Sequence, residues 1–204
     1  MGELKHFDLK NLRNFYNINT LIETGTGIGS GLNYAFELDI FETLYSCEIH
    51  EEVYKKIQIQ HDKCKIYNLD SISFFNSIIN DIQNKNCLFW LDAHFPGADF
   101  GFGKYSDSID ENIKFPLESE IKWLFCNKDM SNDILILDDW RVYERLNYQD
   151  LSVYDKNQYD FGVDLPIGGE NIKQIIQNTH DIYVDLLDQG YLICTPKNKV
   201  FFNV

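Results

Sequence analysis

Short, nearly continuous apolar runs alternate along the chain with longer stretches in which apolar positions recur at helical spacing. The runs read as strands: TLIE (20–23), TLYSCEI (43–49), CKIYNL (64–69), CLFWLDA (87–93), DILILDD (133–139), then 181–187 and 191–195. The stretches between them predict a lead-in helix over 5–17 and further helices over 30–38, 51–60, 71–81 (SISFFNSIIND) and 169–177. PLESEIKWLF (116–125) predicts another, opened by Pro116, a residue suited to a first helical turn. Asp188-Gln189-Gly190 predicts a turn joining the last two strands, and VFF (200–202) a continuation of the sheet.

Strands that are apolar throughout and separated by helices imply a parallel sheet covered on both faces. The closing pair, joined by a tight turn, implies an antiparallel end. The expected fold class is α/β, a doubly wound, Rossmann-like sheet of about seven strands with helices on both faces. No linker or repeat divides the chain, so 1–204 is expected to form one domain, with 1–19 as a helical lead-in. Segments 94–115 and 140–168 are expected to be loops on the substrate side. A structureless connection as long as the first is unusual unless it acts as a cover.

At 204 residues, 15% of them aromatic, the chain has ample material for a core. Its formal net charge of -14 argues against nucleic acid and against anionic membrane surfaces, both of which require a basic footprint. Cys47, Cys64, Cys87, Cys126 and Cys194 have no CxxC spacing and lie mostly in apolar runs, as small buried hydrophobes do. MGELKHFDLK has no apolar core of a leader, and no run approaches a membrane span. A cytoplasmic, reducing setting is the expectation.

Candidate chemistry begins at LIETGTGIGSG (21–31), a glycine-rich turn between the first strand and the first following helix. Such a turn lets a ligand approach the backbone closely. A phosphate loop would need Gly-Lys-Ser/Thr, which does not occur. A dinucleotide fingerprint counted from Gly25 would need glycine where Ser30 stands. What remains is Glu23-x-Gly25-x-Gly27-x-Gly29. Glu48 ends the second strand, where an acid can accept both hydrogen bonds of a ribose diol. Asp70 and Ser71 follow the third strand, where Asp70 also suits a helix N-cap.

This combination resembles class I S-adenosylmethionine-dependent methyltransferases, over about residues 20–140 and in the antiparallel ending of the sheet. The resemblance implies S-adenosylmethionine as cofactor. Glu23, Thr24, Gly25, Thr26 and Gly27, with Ser30, would surround its methionine part. Glu48 and Ile49 would meet the ribose side, Asp70 and Ser71 the adenine, and Asp92 the site's inner edge.

FWLDAHF (89–95) and LILDDW (135–140) supply the rest. In a doubly wound sheet, strands one, four and five are neighbours and their carboxyl ends meet at the ligand crevice. Asp92, His94, Asp138 and Asp139 are therefore expected to converge beside the glycine turn. Three acids there would repel one another unless a cation held them. Oxygen ligands without cysteine suggest magnesium, manganese or calcium. The arrangement resembles metal-dependent sugar and small-molecule O-methyltransferases. That likeness implies a divalent metal on Asp92, Asp138 and Asp139, with His94 and Asp92 as catalytic residues. His94, as a neutral imidazole near its ordinary pKa, would take the acceptor proton.

The expected acceptor is a small polar molecule such as a sugar. Trp140, Arg141, Tyr143, Tyr148, Tyr154 and Tyr159 in the second loop suit it, or equally pack over the sheet edge. Competing readings are a catalytically inactive methyltransferase-like binding protein and a metal-dependent hydrolase on a Rossmann-like fold. The Asp-Ala-His string also occurs in binuclear manganese ureohydrolases, whose further ligand clusters are missing here. Oligomeric state is open, a homo-oligomer included.

Overall fold

The computed structural model describes residues 3–107, 109–144, 166–185, 187, 190–197 and 199. A 3-10 turn (Leu4–His6) leads into α1 (Leu9–Tyr16), which is capped by the Asp8 side chain and ended by Asn17 in the left-handed conformation. The helix expected over 5–17 is thus a turn and a shorter helix. Next come β1 (Thr20–Thr24), α2 (Ser30–Glu37), β2 (Thr43–Cys47), α3 (Glu51–Tyr54) and β3 (Cys64–Tyr67). They are followed by α4 (Ser71–Ile82), β4 (Cys87–Leu91), α5 (Glu111–Lys114), α6 (Leu117–Asn127) and β5 (Ile134–Leu137). The described chain ends with α7 (Glu170–Ile176), β6 (His180–Asp185) and β7 (Tyr191–Pro196).

The strands form one sheet in the order β3-β2-β1-β4-β5-β7-β6. Pairs β1–β2, β1–β4, β2–β3 and β4–β5 are parallel. β7 inserts antiparallel between β5 and β6. Helices cover both faces, as the double-sided apolar strands require. Ile22, Phe89 and Leu135 face a core with Phe74 and Phe75 of α4, Ile121 and Leu124 of α6, and Ile172 and Ile176 of α7. On the other face Leu21, Leu44 and Trp90 pack with Leu12 and Tyr16 of α1 and Leu32 of α2.

α3 is much shorter than the helix expected over 51–60. Ile57 and Ile59 are spaced by two, a period that suits extended chain, and both lie against Gly29. The segment after β4 is also more structured than expected, carrying a 3-10 turn (Ala98–Phe100) and α5. Four of the five cysteines are at least partly buried and all are free; Cys126 is exposed. The turn expected at 188–190 lies largely outside the described residues, as do VFF (200–202), Tyr148, Tyr154 and Tyr159. Among the described residues no helix is long and apolar enough to cross a membrane.

Candidate active site

The glycine turn leaves β1 and enters α2 with Gly25, Gly27 and Gly29 all at positive φ. At Gly25 the need for glycine is steric as well. A Cβ there would lie 2.6 Å from the backbone oxygen of Asp92, so the turn can pass the end of β4 only without a side chain. The turn is tied to β2 by the Gly25 and Thr26 amides, which both donate to the Cys47 carbonyl at 3.0 Å, and by a carboxylate just beyond the strand. Glu48 accepts from the Gly27 amide at 2.9 Å and from the His50 amide at 2.8 Å. Burial raises its pKa, and these two amide bonds oppose the shift.

A second network lies beneath. Ser46 Oγ donates to Glu23 Oε2 at 2.6 Å and lies 2.5 Å from Thr26 Oγ1. Because Ser46 gives its single proton to Glu23, Thr26 is the donor in the other contact. Glu23 is fully enclosed, and burial pushes its carboxyl up to about 8 despite the Ser46 bond. Ser46 was not expected from the sequence, where it is one hydroxyl inside an apolar run.

A cavity of about 530 Å³ opens beside the turn. Of the residues expected to bind cofactor, Glu23, Gly25, Thr26, Gly27 and Ser30 line it from the turn side. Glu48, Ile49, Asp70, Ser71 and Asp92 line it from the strand ends. Thr24 is the exception. Strand side chains alternate, so Thr24 faces away from Glu23, toward α6. Asp70 caps α4, accepting from the Ser73 amide at 2.9 Å and the Ser73 hydroxyl at 2.7 Å.

Glu120 of α6 also went unread in the sequence. It is completely buried, faces the hydroxyls of Thr24 and Ser71, and is pushed up to about 7 by burial, with those hydroxyls opposing. Leu117, Glu120, Ile121 and Leu124 share one helical stripe, so an acid at an apolar position was the available signal.

At the far side of the cavity His94 lies between two carboxylates. Its Nδ1 is 3.0 Å from the backbone oxygen of Asp92 and 3.5 Å from Asp92 Oδ1, while Nε2 is paired with Asp139 Oδ2. Ligand atoms of Asp92, His94 and Asp139 all lie within 4.8 Å of one another, a geometry open to a metal ion. Asp138 is not in this group. Asp139 adopts φ 51, which turns the chain between the two acids, and Asp138 Oδ1 folds back to accept the Asp139 amide at 2.7 Å. The expected set was Asp92, Asp138 and Asp139; the atoms that lie together are those of Asp92, His94 and Asp139.

The protonation expected for His94 changes too. Burial alone would lower its pKa, but the charge and hydrogen bond of Asp139, followed by the charge of Asp92, raise it well above the ordinary value. Burial, then Asp138, pushes Asp92 well up, with His94 opposing. Asp138 is pushed up to about 8, first by burial and then by Asp139. The carboxylates on either side of the imidazole thus favour its protonated form.

No protein-family model matches the chain, and no curated protein does. Solved structures do. Human methyltransferase-like protein 13 in complex with SAH is 15% identical, with a TM-score of 0.54, covering 94% of this chain and 79% of that one. An O-methyltransferase from Bacillus cereus in complex with SAH is 13% identical, with a TM-score of 0.54, covering 93% and 79%. A SAM-dependent methyltransferase from Archaeoglobus fulgidus is 16% identical, with a TM-score of 0.53, covering 87% and 68%. Strand order, the antiparallel β7 and these likenesses agree: the chain has the class I S-adenosylmethionine-dependent methyltransferase fold.

Proposed function

We propose that the protein is an S-adenosylmethionine-dependent methyltransferase that transfers the methyl group to a hydroxyl of a small polar acceptor such as a sugar. The observation that carries this reading is one continuous cavity. The glycine turn, with Glu48 bound to the Gly27 amide, lines one side of it, and Asp92, His94 and Asp139 line the other. A donor on the turn and an acceptor at the acid–imidazole cluster would share that space.

The chemistry asks little of the protein, because the sulfonium already activates the methyl group. The chain has to hold nucleophile, methyl carbon and sulfur in line and take up a proton. Glu48 keeps acceptor capacity on both carboxylate oxygens for a ribose diol after binding the two amides. Asp70 and Ser71 border the adenine side and Glu23, Thr26 and Ser30 the methionine side. At the other end, the carbonyl of Asp92 holds the Nδ1–H of His94, so Nε2, facing Asp139, is the atom that exchanges the proton. The pair Asp139–His94 takes the acceptor's proton as a unit.

Asp92, His94 and Asp139 also suit a divalent cation. The two carboxylates accept magnesium or manganese, and the imidazole favours manganese of the two. When bound, such an ion lowers the pKa of an acceptor hydroxyl as a Lewis acid.

The surplus of acid supports a small-molecule acceptor over nucleic acid, and a cytoplasmic location fits the free cysteines. The test is calorimetry with S-adenosylmethionine, S-adenosylhomocysteine, NAD and ATP, followed by methyl transfer across hydroxyl acceptors. Binding of the first two alone supports the reading, and NAD binding without a response to the methyl donor ends it. Donor binding without turnover over the whole panel favours an inactive binding protein.

A further inference from the structure

We propose that His50 and Phe102 form a clamp that positions the segment after β4 over the donor side of the cavity, and so controls release of the nucleoside product. The proposal rests on the donor reading given above.

The segment behaves as one built unit. Phe102 N donates to the Gly97 carbonyl at 3.0 Å, the Lys104 amide donates to Asp107 Oδ2 at 2.8 Å, and the Tyr105 hydroxyl pairs with Asp99. Two aromatic rings leave this unit in different directions. Phe100 points inward, with its ring tip 2.9 Å from where a Cβ on Gly27 would stand. It therefore lies directly on the glycine turn. Phe102 points outward and stays 42% exposed.

What holds Phe102 is the chain that follows β2. Its ring stacks on His50, with centroids 5.0 Å apart and planes 24° apart, and Lys56 Nζ stands 4.5 Å from its centroid. His50 meets the unit a second time along its edge, where a Cβ on Gly97 would lie 2.7 Å from the imidazole. The anchor is itself fixed. The His50 amide binds Glu48 Oε1 at 2.8 Å, and Asn68 Nδ2 donates to the Glu48 carbonyl at 2.7 Å. The carboxylate assigned to the ribose and the ring that clamps the cover are thus two residues apart on one immobilised stretch.

The contacts that fix Phe102 are therefore the stack on His50 and the Lys56 ammonium. Stacking and cation–π contacts of this kind are individually weak, which suits a cover that must open on each turnover. Phe100 and the cavity-lining Asp99 move with the unit, so opening the clamp uncovers donor and acceptor sides together. His50 and Phe102 are positioning residues; neither is placed against the reacting atoms.

The experiment compares the wild-type chain with Phe102→Ala and Phe102→Trp. Hydrogen exchange of amides 97–107 is measured without ligand. The dissociation rate of S-adenosylhomocysteine is measured by stopped flow, and thermal stability without ligand serves as control. Phe102→Ala is expected to speed both exchange and dissociation on the order of ten-fold while leaving the melting temperature nearly unchanged, and Phe102→Trp to restore both. Unchanged exchange in Phe102→Ala overturns the clamp. Faster exchange with an unchanged dissociation rate overturns its role in release. Wild-type protein that fails to bind S-adenosylhomocysteine while Phe102→Ala still loosens the segment overturns the donor reading instead, and release control with it.

Discussion

The backbone amide of Gly27 donates to Oε2 of Glu48 at 2.9 Å, adding a side-chain tie to the backbone bonds that join the glycine turn to the end of β2. The acid thus shapes the turn before any ligand arrives, and its loss would release the Gly27 and His50 amides together.

Glu48→Ala is accordingly expected to weaken S-adenosylmethionine binding by about 1.5–3 kcal/mol, the range for hydrogen bonds to a charged group. Isothermal calorimetry checks it. An unchanged dissociation constant would remove Glu48 from the donor site.

Gly25→Ala is expected to abolish donor binding. Its Cβ would strike the backbone oxygen of Asp92 at 2.6 Å, and φ 78 is strained for any L side chain. Neither the strand end nor the turn can yield without displacing the other. Calorimetry combined with a melting curve reads the effect, and normal affinity in a folded Gly25→Ala protein would contradict this placement.

His94→Ala is expected to lower turnover by about 10²–10⁴-fold, the usual loss for a general base, with donor affinity nearly intact. The pH profile carries more information. Because Asp139 and Asp92 raise the His94 pKa, the basic form accumulates only as pH rises through that raised value. Activity should therefore climb on the alkaline side of neutrality. Asp139→Asn, which removes the main charge that raises the pKa, should move the rising limb toward acid. A profile already flat from pH 6.5 upward would mean that His94 is not the group being titrated.

Manganese added to the apo protein is expected to raise its melting temperature, and Asp139→Ala to remove that response. Methyl transfer should fall in EDTA and return with added metal. Full activity in EDTA, together with no thermal shift, would leave Asp92, His94 and Asp139 as a purely protonic cluster.

Glu120 gives a stability prediction. Its carboxyl is held at about 7, above its unfolded value, so the folded state retains a proton that the unfolded state loses. That contribution is complete below the unfolded pKa near 4.5 and disappears as pH rises through 7. The unliganded protein should lose on the order of 3 kcal/mol over this window from Glu120 alone. In Glu120→Gln the urea stability curve should be flatter between pH 5 and 7. An identical slope would show that Glu120 is not protonated in the fold.

Local sequence pattern set the order of the strands and of the longer helices, the glycine turn and the acids at the strand ends. Each is written locally: CLFWL and ILIL are apolar without interruption, and an acid follows each where the strand leaves the core. The runs implied a parallel sheet with an antiparallel end, whereas the full order, with β7 between β5 and β6, belongs to the fold. Tertiary structure decided which side chains meet. Asp138 and Asp139 are adjacent and chemically alike, yet the left-handed turn at Asp139 sends only one of them to His94. Thr24 and Glu23 are neighbours on one strand, but alternation turns Thr24 toward Glu120, a residue of α6 far along the chain. The His50–Phe102 stack joins two segments brought together only when the sheet closes. Local pattern fixes where a backbone is strand, turn or helix. The partner of a charged or aromatic side chain depends on contacts distant in sequence, and only the packed fold supplies them.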